Sequence, residues 1–573
     1  MDDALRDDIE RAAEIHALLN AIKHEGEADV GAIMGPLMGE NPAFRPHGDR
    51  VPGIVAPIVA AVNDLASSAQ RERLGELAPE KLAEFEQPDD SDDDPLLPDL
   101  PNVEDAETVR MRLAPNPNGP WHLGNARMCA VIGTYKALYD GWMLCRFDDT
   151  DPETKRPDLD AYDAILESIS YLGFEPDEII RASDRMDLYY DHARELIKKG
   201  GAYTCSLPAA EFSELKRVGT PSPSRSKDPD TVIEEFEAMI AGDYEPGEMV
   251  LRVKTDMDHK NPALRDWVAF RQVATPHPRA VAAQYRCWPL LDFQSGIDDH
   301  LMNITHIIRG IDLQDSAKRQ QFLYDYFDWE YPEVLHWGHV QIDEYDVSMS
   351  TSTIKALVES GDLEGWDDPR APTIASLRRR GIRGEAIVNA MVDLGTSTSN
   401  VDLAMSSIYA YNRDIIDETT DRFFFVRDGM RLPLVGDLPE TATPPRHPTN
   451  EERGTRTIPI DDAVLIESDD LPDHGDRVWL KGLGCVRLMR DAFELTGDSI
   501  DAVREENVSV SHWVPAETSV ATTLHRPEGS ESGDAEPAVA TVSQDTVVQF
   551  ERVGFARIEQ ATEEEINAMF AHR

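Results

Sequence analysis

The sequence predicts a multidomain α/β plus β protein, in which an α/β nucleotide-binding fold is combined with a helical N-terminal domain and C-terminal β-barrels. The 573 residues allow roughly three to five domains. Strand–loop–helix units recur over residues 108–182 and 288–345, whereas short strands separated by Gly-, Pro- and Asp-rich turns recur over 396–573. The first pattern is typical of α/β sheets and the second of β-barrels.

Charge is the most unusual bulk property of the chain. It has 108 Asp and Glu residues against 56 Lys and Arg, for a formal net charge of −52, and only 13 of the basic residues are Lys. The acids are spread along the whole chain, which favours the cytoplasmic protein of an extreme halophile over an acidic protein with a disordered tail. This charge opposes RNA binding by simple attraction. Counterion release contributes little in concentrated salt, however, so RNA recognition would depend on shape, stacking and base-edge contacts.

Signals for membrane insertion, secretion and zinc binding are lacking in the sequence. No apolar run approaches the roughly 18 residues of a spanning helix, and the acidic N-terminus lacks a signal-peptide pattern. The five cysteines form no CxxC pair. We therefore expect a cytoplasmic protein with no membrane partner, no disulfide framework and no zinc site.

The first 107 residues carry no catalytic constellation. Residues 1–86 predict a helical domain, in which apolar residues from Leu5 to Ile22 share one helix face, Gly26 ends that helix, and a second helix runs from about Pro57 to Leu77. We interpret it as an accessory domain, with partner docking as the alternative. Residues 87–107 hold nine acids, four prolines and no base, which predicts an extended, self-repelling linker.

A Pro- and Gly-punctuated loop, Pro115–Asn125, connects a short strand, Val109–Leu113, to a helix that begins near Ala126. In an α/β sheet such a loop lies at the carboxyl end of a strand, where ligands bind. Its glycines permit close approach of a ligand, and the helix N-terminus favours phosphates. His122 and Asn125 can donate hydrogen bonds to a phosphate chain; the alternative is an ordinary strand–turn–helix with a surface histidine.

Charged side chains end two more predicted strands. Trp142–Phe147 is followed by Asp148, which can hold a cation or an amino group, or can instead cap a helix that starts near Arg156. The buried strand Ile304–Gly310 ends on Arg309 and a glycine. Because the carboxyl ends of parallel strands share one edge of a sheet, these residues are predicted to lie on the same rim as the first loop.

The segments between and after these strands complete the domain plan. Residues 183–287 lack a βαβ rhythm and predict an inserted domain. The loop Asp346–Lys355 carries hydroxyls and a lysine that can close over a triphosphate. The basic segment Leu377–Gly381 predicts a helix whose arginines either contact RNA or form a solvated helix end. Residues 516–545 predict an acidic, low-complexity loop within one barrel.

In their order along the chain, these segments resemble class I aminoacyl-tRNA synthetases, and most closely the archaeal-type glutamyl-tRNA synthetases. Pro115–Asn125 is similar to the signature that ends His-x-Gly-His, with Asn125 in place of the second histidine. Asp346–Lys355 is similar to the mobile Lys-Met-Ser-Lys-Ser loop. Archaeal-type relatives have Leu-Ser-Thr-Ser-Lys there, and Thr353 stands in place of the last lysine of that form. Further segments match the family at Arg146–Pro157, Arg265–Arg271, Gly365–Arg370, Leu377–Gly381, His447–Gly454 and Val548–Phe555.

The resemblance implies a class I Rossmann-type catalytic domain in two halves, 108–182 and 288–345, separated by an insertion, 183–287, that holds the tRNA acceptor end. A connecting region at 346–395 and two anticodon-binding β-barrels at 396–573 follow. The implied enzyme is a glutamate–tRNA ligase that activates L-glutamate with ATP and charges tRNA-Glu, with tRNA-Gln as a second candidate substrate. Mg²⁺ is expected with ATP, and the protein is expected to be a monomer.

The resemblance also assigns roles to individual residues. Glutamate is expected to be bound by Arg112, Asp148 and Arg309, with Asp148 on its α-ammonium group and Arg112 on its carboxylate side. Catalysis is expected to use His122, Asn125, Ser350, Ser352 and Lys355. ATP is expected to contact Pro115, Asn116, Gly119, His122, Gly124, Asn125, Gly310, Met349 and Ser350. Candidate tRNA contacts are Arg378, Arg379 and Arg380.

Two alternatives stay open at this point. A glutaminyl-tRNA synthetase shares the barrels and most of the matching segments, and Leu291 replaces a tyrosine that shapes the amino-acid pocket in many relatives. A catalytically weakened, tRNA-binding paralogue is suggested by Asn125 and Thr353, since each removes a potential cation from the triphosphate. Arg127, Arg309 or Lys355 are the candidates to supply that charge.

Overall fold

The computed structural model describes residues 3–23, 28, 30–31, 33, 37, 50–63, 65, 67–79, 81, 97–342, 344–506 and 508–573. The chain separates into two compact units, Met1–Pro95 and Leu96–Arg573. Within the described ranges, no helix combines the length and apolarity needed to cross a membrane.

The first unit contains helices α1 (Asp3–Lys23), α2 (Val51–Asn63) and α3 (Ser67–Leu77). Helix α2 buries Val51, Val55, Val59 and Val62, which recur at helical spacing, in a core shared with α1. The prediction of one helix over Pro57–Leu77 is wrong. The apolar repeat begins at Val51, so Pro57 lies inside α2 with its ring exposed, and a turn at Leu65 separates α2 from α3. The stop predicted at Gly26 lies outside the described residues.

The predicted linker, residues 87–107, is described from residue 97 onward. This part belongs to the second unit and packs into its core instead of extending into solvent. Leu97 and Leu100 are buried in the core of that unit. The Tyr135 hydroxyl donates to the Pro98 carbonyl at 2.7 Å. Burial of the two leucines therefore outweighs the repulsion among the acids of this part.

The second unit begins with a parallel three-stranded sheet. The elements are β1 (Arg110–Leu113), α4 (Leu123–Leu138), β2 (Trp142–Phe147), α5 (Leu159–Tyr171) and β3 (Glu178–Arg181). The sheet has the order β1-β2-β3. All but the first residue of β1 and of β2 are buried, as expected for central parallel strands covered on both faces.

The predicted insertion forms an antiparallel sheet with its own core. Its elements are α6 (Met186–Lys198), β4 (Ala202–Cys205), α7 (Ala209–Val218), α8 (Pro229–Ala241), β5 (Val250–Val253), β6 (Val268–Gln272) and β7 (Cys287–Pro289). The strand order is β4-β5-β6-β7. Aromatic residues fill the core, among them Tyr190, Phe236 and Phe270, whose rings contact one another.

The parallel sheet resumes with α9 (Leu291–Leu301), β8 (His306–Gly310), α10 (Gln314–Phe327) and β9 (Glu333–Trp337). Helix α9 begins at Leu291, with Leu290 at its N-cap position. Strand β8 pairs with β9 in parallel and is joined to β1 by Thr305, whose N–H donates to the Arg110 carbonyl at 2.9 Å. The resulting order, β3-β2-β1-β8-β9, is that of a Rossmann fold, with its switch point between β1 and β8.

A mainly helical region connects this sheet to the β-rich part. Its elements are β10 (Val340–Gln341), α11 (Thr351–Ser360), α12 (Ile374–Arg380), α13 (Gly384–Asp393), β11 (Val401–Asp402) and α14 (Met405–Ile416). Helix α13 packs on both α14 and α4, so the connecting region is continuous with the catalytic core.

Two seven-stranded, barrel-like sheets follow, each with its own apolar core. Their strands are β12 (Arg422–Phe423), β13 (Phe425–Arg427), β14 (Gly429–Val435), β17 (Ala463–Glu467), β18 (Arg477–Leu480), β19 (Gly484–Leu488), β20 (Phe493–Leu495), β21 (Val510–Ser511), β22 (Val514–Pro515), β23 (Val520–Arg526), β24 (Gly529–Ala535), β25 (Val547–Phe550), β26 (Gly554–Ala561) and β27 (Glu565–His572). A separate hairpin, β15 (Thr441–Ala442) with β16 (Ile458–Pro459), and helix α15 (Ile500–Glu505) complete this part. Phe424 enters one core while Phe423 and Phe425 enter the other, because successive strand residues face opposite sides.

The prediction of an acidic loop over residues 516–545 is wrong. Strands β23 and β24 form a hairpin there, and β23 also pairs with β27. Val520, Thr522 and Leu524 are buried on alternate positions of β23. The alternation is hard to recognise in sequence because Ala, Thr, Gly and Ser occupy most of the remaining positions.

Candidate active site

The first loop and the end of β2 are fastened together at the carboxyl edge of the sheet. The Asp148 N–H donates to the Pro115 carbonyl at 2.9 Å, and the Asn116 Nδ2 donates to the Asp148 carbonyl at 2.9 Å. Both loops thus form one wall beside the switch point of the Rossmann sheet, where a nucleotide binds in this fold.

His122 and Asn125 form the start of α4. Asn125 Oδ1 accepts a hydrogen bond from the His122 N–H at 3.2 Å, so this amide oxygen caps the helix. The His122 Nδ1 is buried and has no hydrogen-bond partner among the described residues. Burial lowers the pKa of His122 to about 4, so the imidazole is neutral near pH 7. A Cβ on Gly124 would lie 3.1 Å from this imidazole, which favours glycine there.

The two signature segments meet directly. A Cβ on Gly119 would lie 2.7 Å from Thr351 Cγ2 and 2.9 Å from the Trp366 ring. Thr351 is the first residue of α11, and Ser350 occupies the N-cap position of that helix. The Ser350 and Ser352 hydroxyls lie 3.0 Å apart, and Met349 packs against the catalytic core. The hydroxyls of the second signature are therefore held beside the first loop.

A single ion pair adds to this contact. Lys355 Nζ lies 3.2 Å from Asp158 Oδ2, and the Asp158 N–H donates to the Pro117 carbonyl at 2.7 Å. Arg127, one of the three cations considered for the triphosphate, is committed elsewhere: its Nη atoms donate to the carbonyls of Gly338 and Gly395 at 2.7 and 2.9 Å. Of those three cations, Arg309 and Lys355 remain.

Beneath the switch point lies a buried network of opposite charges. Asp299 Oδ1 accepts from Arg112 Nε at 3.1 Å and from Arg146 Nη1 at 2.6 Å. Arg146 Nε also donates to Asp148 Oδ1 at 2.7 Å. Burial alone would raise the pKa of Asp299, but Arg112 and Arg146 more than offset it, so that pKa lies below its ordinary value. Burial raises the pKa of Asp148 despite the guanidinium of Arg146.

Two further groups extend the network. Gln294 Nε2 donates to Asp148 Oδ1 at 3.1 Å and to Asp298 Oδ2 at 3.0 Å. Arg309 Nη2 donates to Gln320 Oε1 at 3.2 Å and to the Tyr331 hydroxyl at 3.0 Å. Burial lowers the pKa of Arg309. Both predicted arginines, Arg112 and Arg309, therefore reach the same region as Asp148.

Several buried polar atoms along this wall lack a partner in the described part of the chain. They are Asn116 Oδ1, His122 Nδ1, Arg146 Nη2, Gln294 Oε1, Asp299 Oδ2 and Arg309 Nε. Buried polar groups are almost always hydrogen-bonded in folded proteins. A set containing both donors and acceptors suits a small ligand that carries charges of both signs, such as an amino acid.

Sequence reasoning missed Arg146, Gln294, Asp298 and Asp299. A weak signal existed, because Arg146 interrupts an otherwise apolar buried strand and Gln294 and Asp298 are spaced i, i+4 on α9, so that both face the same side. Leu291, at the start of α9, is 41% exposed.

The three candidate tRNA arginines have different surroundings. The Arg378 side chain is 58% exposed, and its guanidinium lies over the Tyr171 ring at 5.5 Å. Arg379 makes two hydrogen bonds to the Glu559 carboxylate in the second barrel. Arg380 is 3% exposed and donates to the Phe570 and Ala571 carbonyls. Arg379 and Arg380 thus fasten a barrel to α12, whereas Arg378 is open to solvent.

Family models match consecutive parts of the chain. The model for the catalytic domain of class I tRNA synthetases (E and Q) matches residues 108–418, and two models for anticodon-binding domains of that class match residues 420–503 and 510–559. The Rossmann sheet and the paired barrels are those of a class I tRNA synthetase.

Full-length relatives narrow the class. The glutamate–tRNA ligases of Haloarcula marismortui and Natronomonas pharaonis are each 65% identical to this chain and are matched over 100% of both lengths. That of Halobacterium salinarum is 61% identical over 98% of this chain and 97% of the relative. The chain belongs to the glutamate–tRNA ligase family. These relatives come from haloarchaea, in agreement with the halophilic origin predicted from the charge.

Proposed function

We propose that this protein attaches L-glutamate to tRNA-Glu in two steps. The glutamate carboxylate attacks the α-phosphate of ATP, which forms glutamyl-adenylate and releases pyrophosphate. The 2′-hydroxyl of the terminal adenosine of tRNA then attacks the activated carbonyl and releases AMP. Catalysis rests on positioning and charge stabilisation, without a covalent enzyme intermediate.

The observation that carries the proposal is the set of buried, unpartnered polar atoms that runs from the first loop to Arg309. Asp148 offers a carboxylate for the α-ammonium group of glutamate. Arg112, with Arg309, offers guanidinium groups for its carboxylates, which arginine binds in a bidentate manner. Arg309 donates to the uncharged Gln320 and Tyr331 side chains, so its buried guanidinium favours an acidic amino acid over the neutral glutamine, which would leave this cation less compensated.

On the ATP side, the loop from Pro115 to Asn125 follows the triphosphate. The neutral His122 donates a hydrogen bond to a phosphate. The missing Cβ atoms of Gly119 and Gly124 leave room for Thr351 and for the His122 ring. Ser350, Ser352 and Lys355 act on the departing pyrophosphate. Asn125 contributes mainly by capping α4, which keeps the N–H groups of that helix directed at the phosphates.

Mg²⁺ is expected to enter with ATP. In the described residues, no group of three or more His, Cys, Asp or Glu side chains has the arrangement of a metal cage. Mg²⁺ bound with a nucleotide is usually held chiefly by phosphate oxygens and water. When bound, it supplies positive charge at the phosphates.

The test is aminoacylation by the purified full-length protein in multimolar KCl, with tRNA-Glu and tRNA-Gln each offered glutamate or glutamine. Glutamate-dependent charging of tRNA-Glu is the expected result, and charging of tRNA-Gln with glutamate would extend the substrate range. Preference for glutamine would identify a glutaminyl enzyme. Absence of pyrophosphate exchange with ATP, glutamate and tRNA would identify a tRNA-binding paralogue. Size-exclusion chromatography checks the expected monomer.

A further inference from the structure

The second signature lacks a lysine at position 353, and the ammonium group that follows it in sequence is Lys355, one of only 13 lysines in the chain. Lys355 lies on the second turn of α11, whose first residue contacts Gly119 of the first loop. That packing fixes α11 against the phosphate-binding loop. A cation on α11 is therefore close to the nucleotide side of the sheet.

Asp158 contacts the first loop, helix α5 and Lys355. Its N–H donates to the Pro117 carbonyl at 2.7 Å, its Oδ1 accepts from the Asp160 N–H at 3.2 Å and thereby caps α5, and its Oδ2 lies 3.2 Å from Lys355 Nζ. One residue thus contacts the first loop, a helix of the Rossmann fold and the second signature helix.

We propose that Asp158 is a positioning residue that presents Lys355 to the triphosphate, so that the Asp158–Lys355 pair replaces the lysine missing at position 353. The inference rests on the proposed function. Lys355 and Asp158 are each 36% exposed, so the ammonium can leave the carboxylate for a phosphate without breaking a core contact. The carboxylate returns the ammonium to the same place between turnovers.

The pair is suited to high salt. At ~1 M ionic strength the Debye length is about 3 Å, so a charge acting from a distance would be screened. A contact pair of 3.2 Å is on that scale and keeps part of its attraction. A mobile lysine on a loop would be guided to the nucleotide mainly by long-range attraction, whereas Lys355 is placed beside it by contact.

The discriminating variant is Asp158→Asn. Asparagine caps helices about as well as aspartate and retains the N–H for Pro117, so only the charge facing Lys355 is lost. Asp160→Asn removes the same charge from the same helical turn without touching Lys355 and is the matched control. Pyrophosphate exchange is measured for both at saturating glutamate and tRNA, with ATP and pyrophosphate varied, and unfolding is monitored by circular dichroism.

We expect Asp158→Asn to lower kcat/KM for ATP about tenfold, with the KM for glutamate and the melting temperature unchanged. Lys355→Met lowers kcat/KM for ATP about a hundredfold, because a group that stabilises charge in the transition state is lost. Lys355→Arg keeps the positive charge and retains most of kcat/KM. The double variant Asp158→Asn, Lys355→Met matches Lys355→Met alone, because an idle positioning residue has nothing left to position.

The positioning role is overturned if Asp158→Asn behaves like Asp160→Asn, or if the two losses multiply in the double variant. Either result leaves glutamate-dependent exchange by the unaltered protein intact. Failure of the proposed function would instead appear as absence of that exchange in the unaltered protein, so the two failures are distinguishable.

Discussion

Arg146 donates its Nη1 to Asp299 at 2.6 Å, and both side chains are fully buried. Because the same carboxylate oxygen also accepts from Arg112, Asp299 sets the relative position of two guanidinium groups. Arg146 further holds Asp148, the predicted partner of the substrate ammonium group. The pair is thus placed to organise the proposed glutamate site.

Arg146→Lys tests this relationship. Lysine keeps the charge but cannot hold Asp148 and Asp299 with one planar group, so both carboxylates lose their fixed positions. We expect the KM for glutamate to rise about tenfold or more, equivalent to ~1.4 kcal/mol, with the KM for ATP nearly unchanged. Arg194→Lys is the control, because Arg194 forms an exposed ion pair with Glu237. An equal rise in both KM values would assign Arg146 a purely structural role.

Gly119→Ala probes the contact between the two signature segments. The added methyl group would meet Thr351 Cγ2 at 2.7 Å and the Trp366 ring at 2.9 Å, so the two segments must separate. A displacement of this kind is expected to lower kcat between about tenfold and about a hundredfold. Thr351→Ser deletes the opposing methyl group and should restore part of the loss in the double variant. Gly53→Ala, with no atom within 4 Å of the new Cβ, is the control.

Some parts of the structure could be predicted from the sequence and others could not. The strand ends at Asp148 and Arg309 could be predicted, since buried strands of an α/β sheet are near-continuous apolar runs and their carboxyl ends share one rim. The pairing of Arg146 with Asp299 could not be predicted, because the two residues lie 153 positions apart and no local pattern relates them. The β23–β24 hairpin was hidden for a different reason: small and polar residues blur its alternation.

Substitutions of Arg378 and Arg380 should have different effects, one on tRNA binding and the other on stability. Arg378→Ala removes an exposed guanidinium and is expected to raise the KM for tRNA severalfold without a change in melting temperature. Arg380→Ala leaves the Phe570 and Ala571 carbonyls without their donor, at a cost of about 1–3 kcal/mol for each buried group. Tryptophan fluorescence during thermal unfolding measures the second effect. If Arg378→Ala lowered stability and left tRNA kinetics unaltered, its proposed role would be wrong.

Acid sensitivity is expected from His122. Its pKa in the folded protein is about 4 against an ordinary value of 6.5, so the unfolded chain binds this proton more readily. Stability therefore falls as pH drops from 6.5 toward 4, by about 2 kcal/mol between pH 7 and pH 5. His122→Gln should remove this difference, whereas replacement of the exposed His474 by glutamine should not. Chemical unfolding at the two pH values, at constant KCl, measures it; an unchanged pH dependence in His122→Gln would contradict the expectation.

Asn125→His and Thr353→Lys restore the residues that the family signatures contain. A histidine at position 125 adds no charge when its imidazole is neutral, as that of His122 is. A lysine at position 353 would add an ammonium group to a site that Lys355 already serves. Both variants should therefore change pyrophosphate exchange by less than about threefold, or ~0.7 kcal/mol.

The informative background for Thr353→Lys is Lys355→Met. If one ammonium group suffices at the triphosphate, the new lysine should recover about tenfold or more of the exchange activity that Lys355→Met loses, an effect of ~1.4 kcal/mol. Asn125→His should recover none, since it supplies no cation. A large gain from either substitution in the otherwise unaltered protein would mean that the site truly lacks positive charge. Lys355 would then not replace the lysine missing at position 353, because the unaltered protein, which contains Lys355, would still lack a cation there.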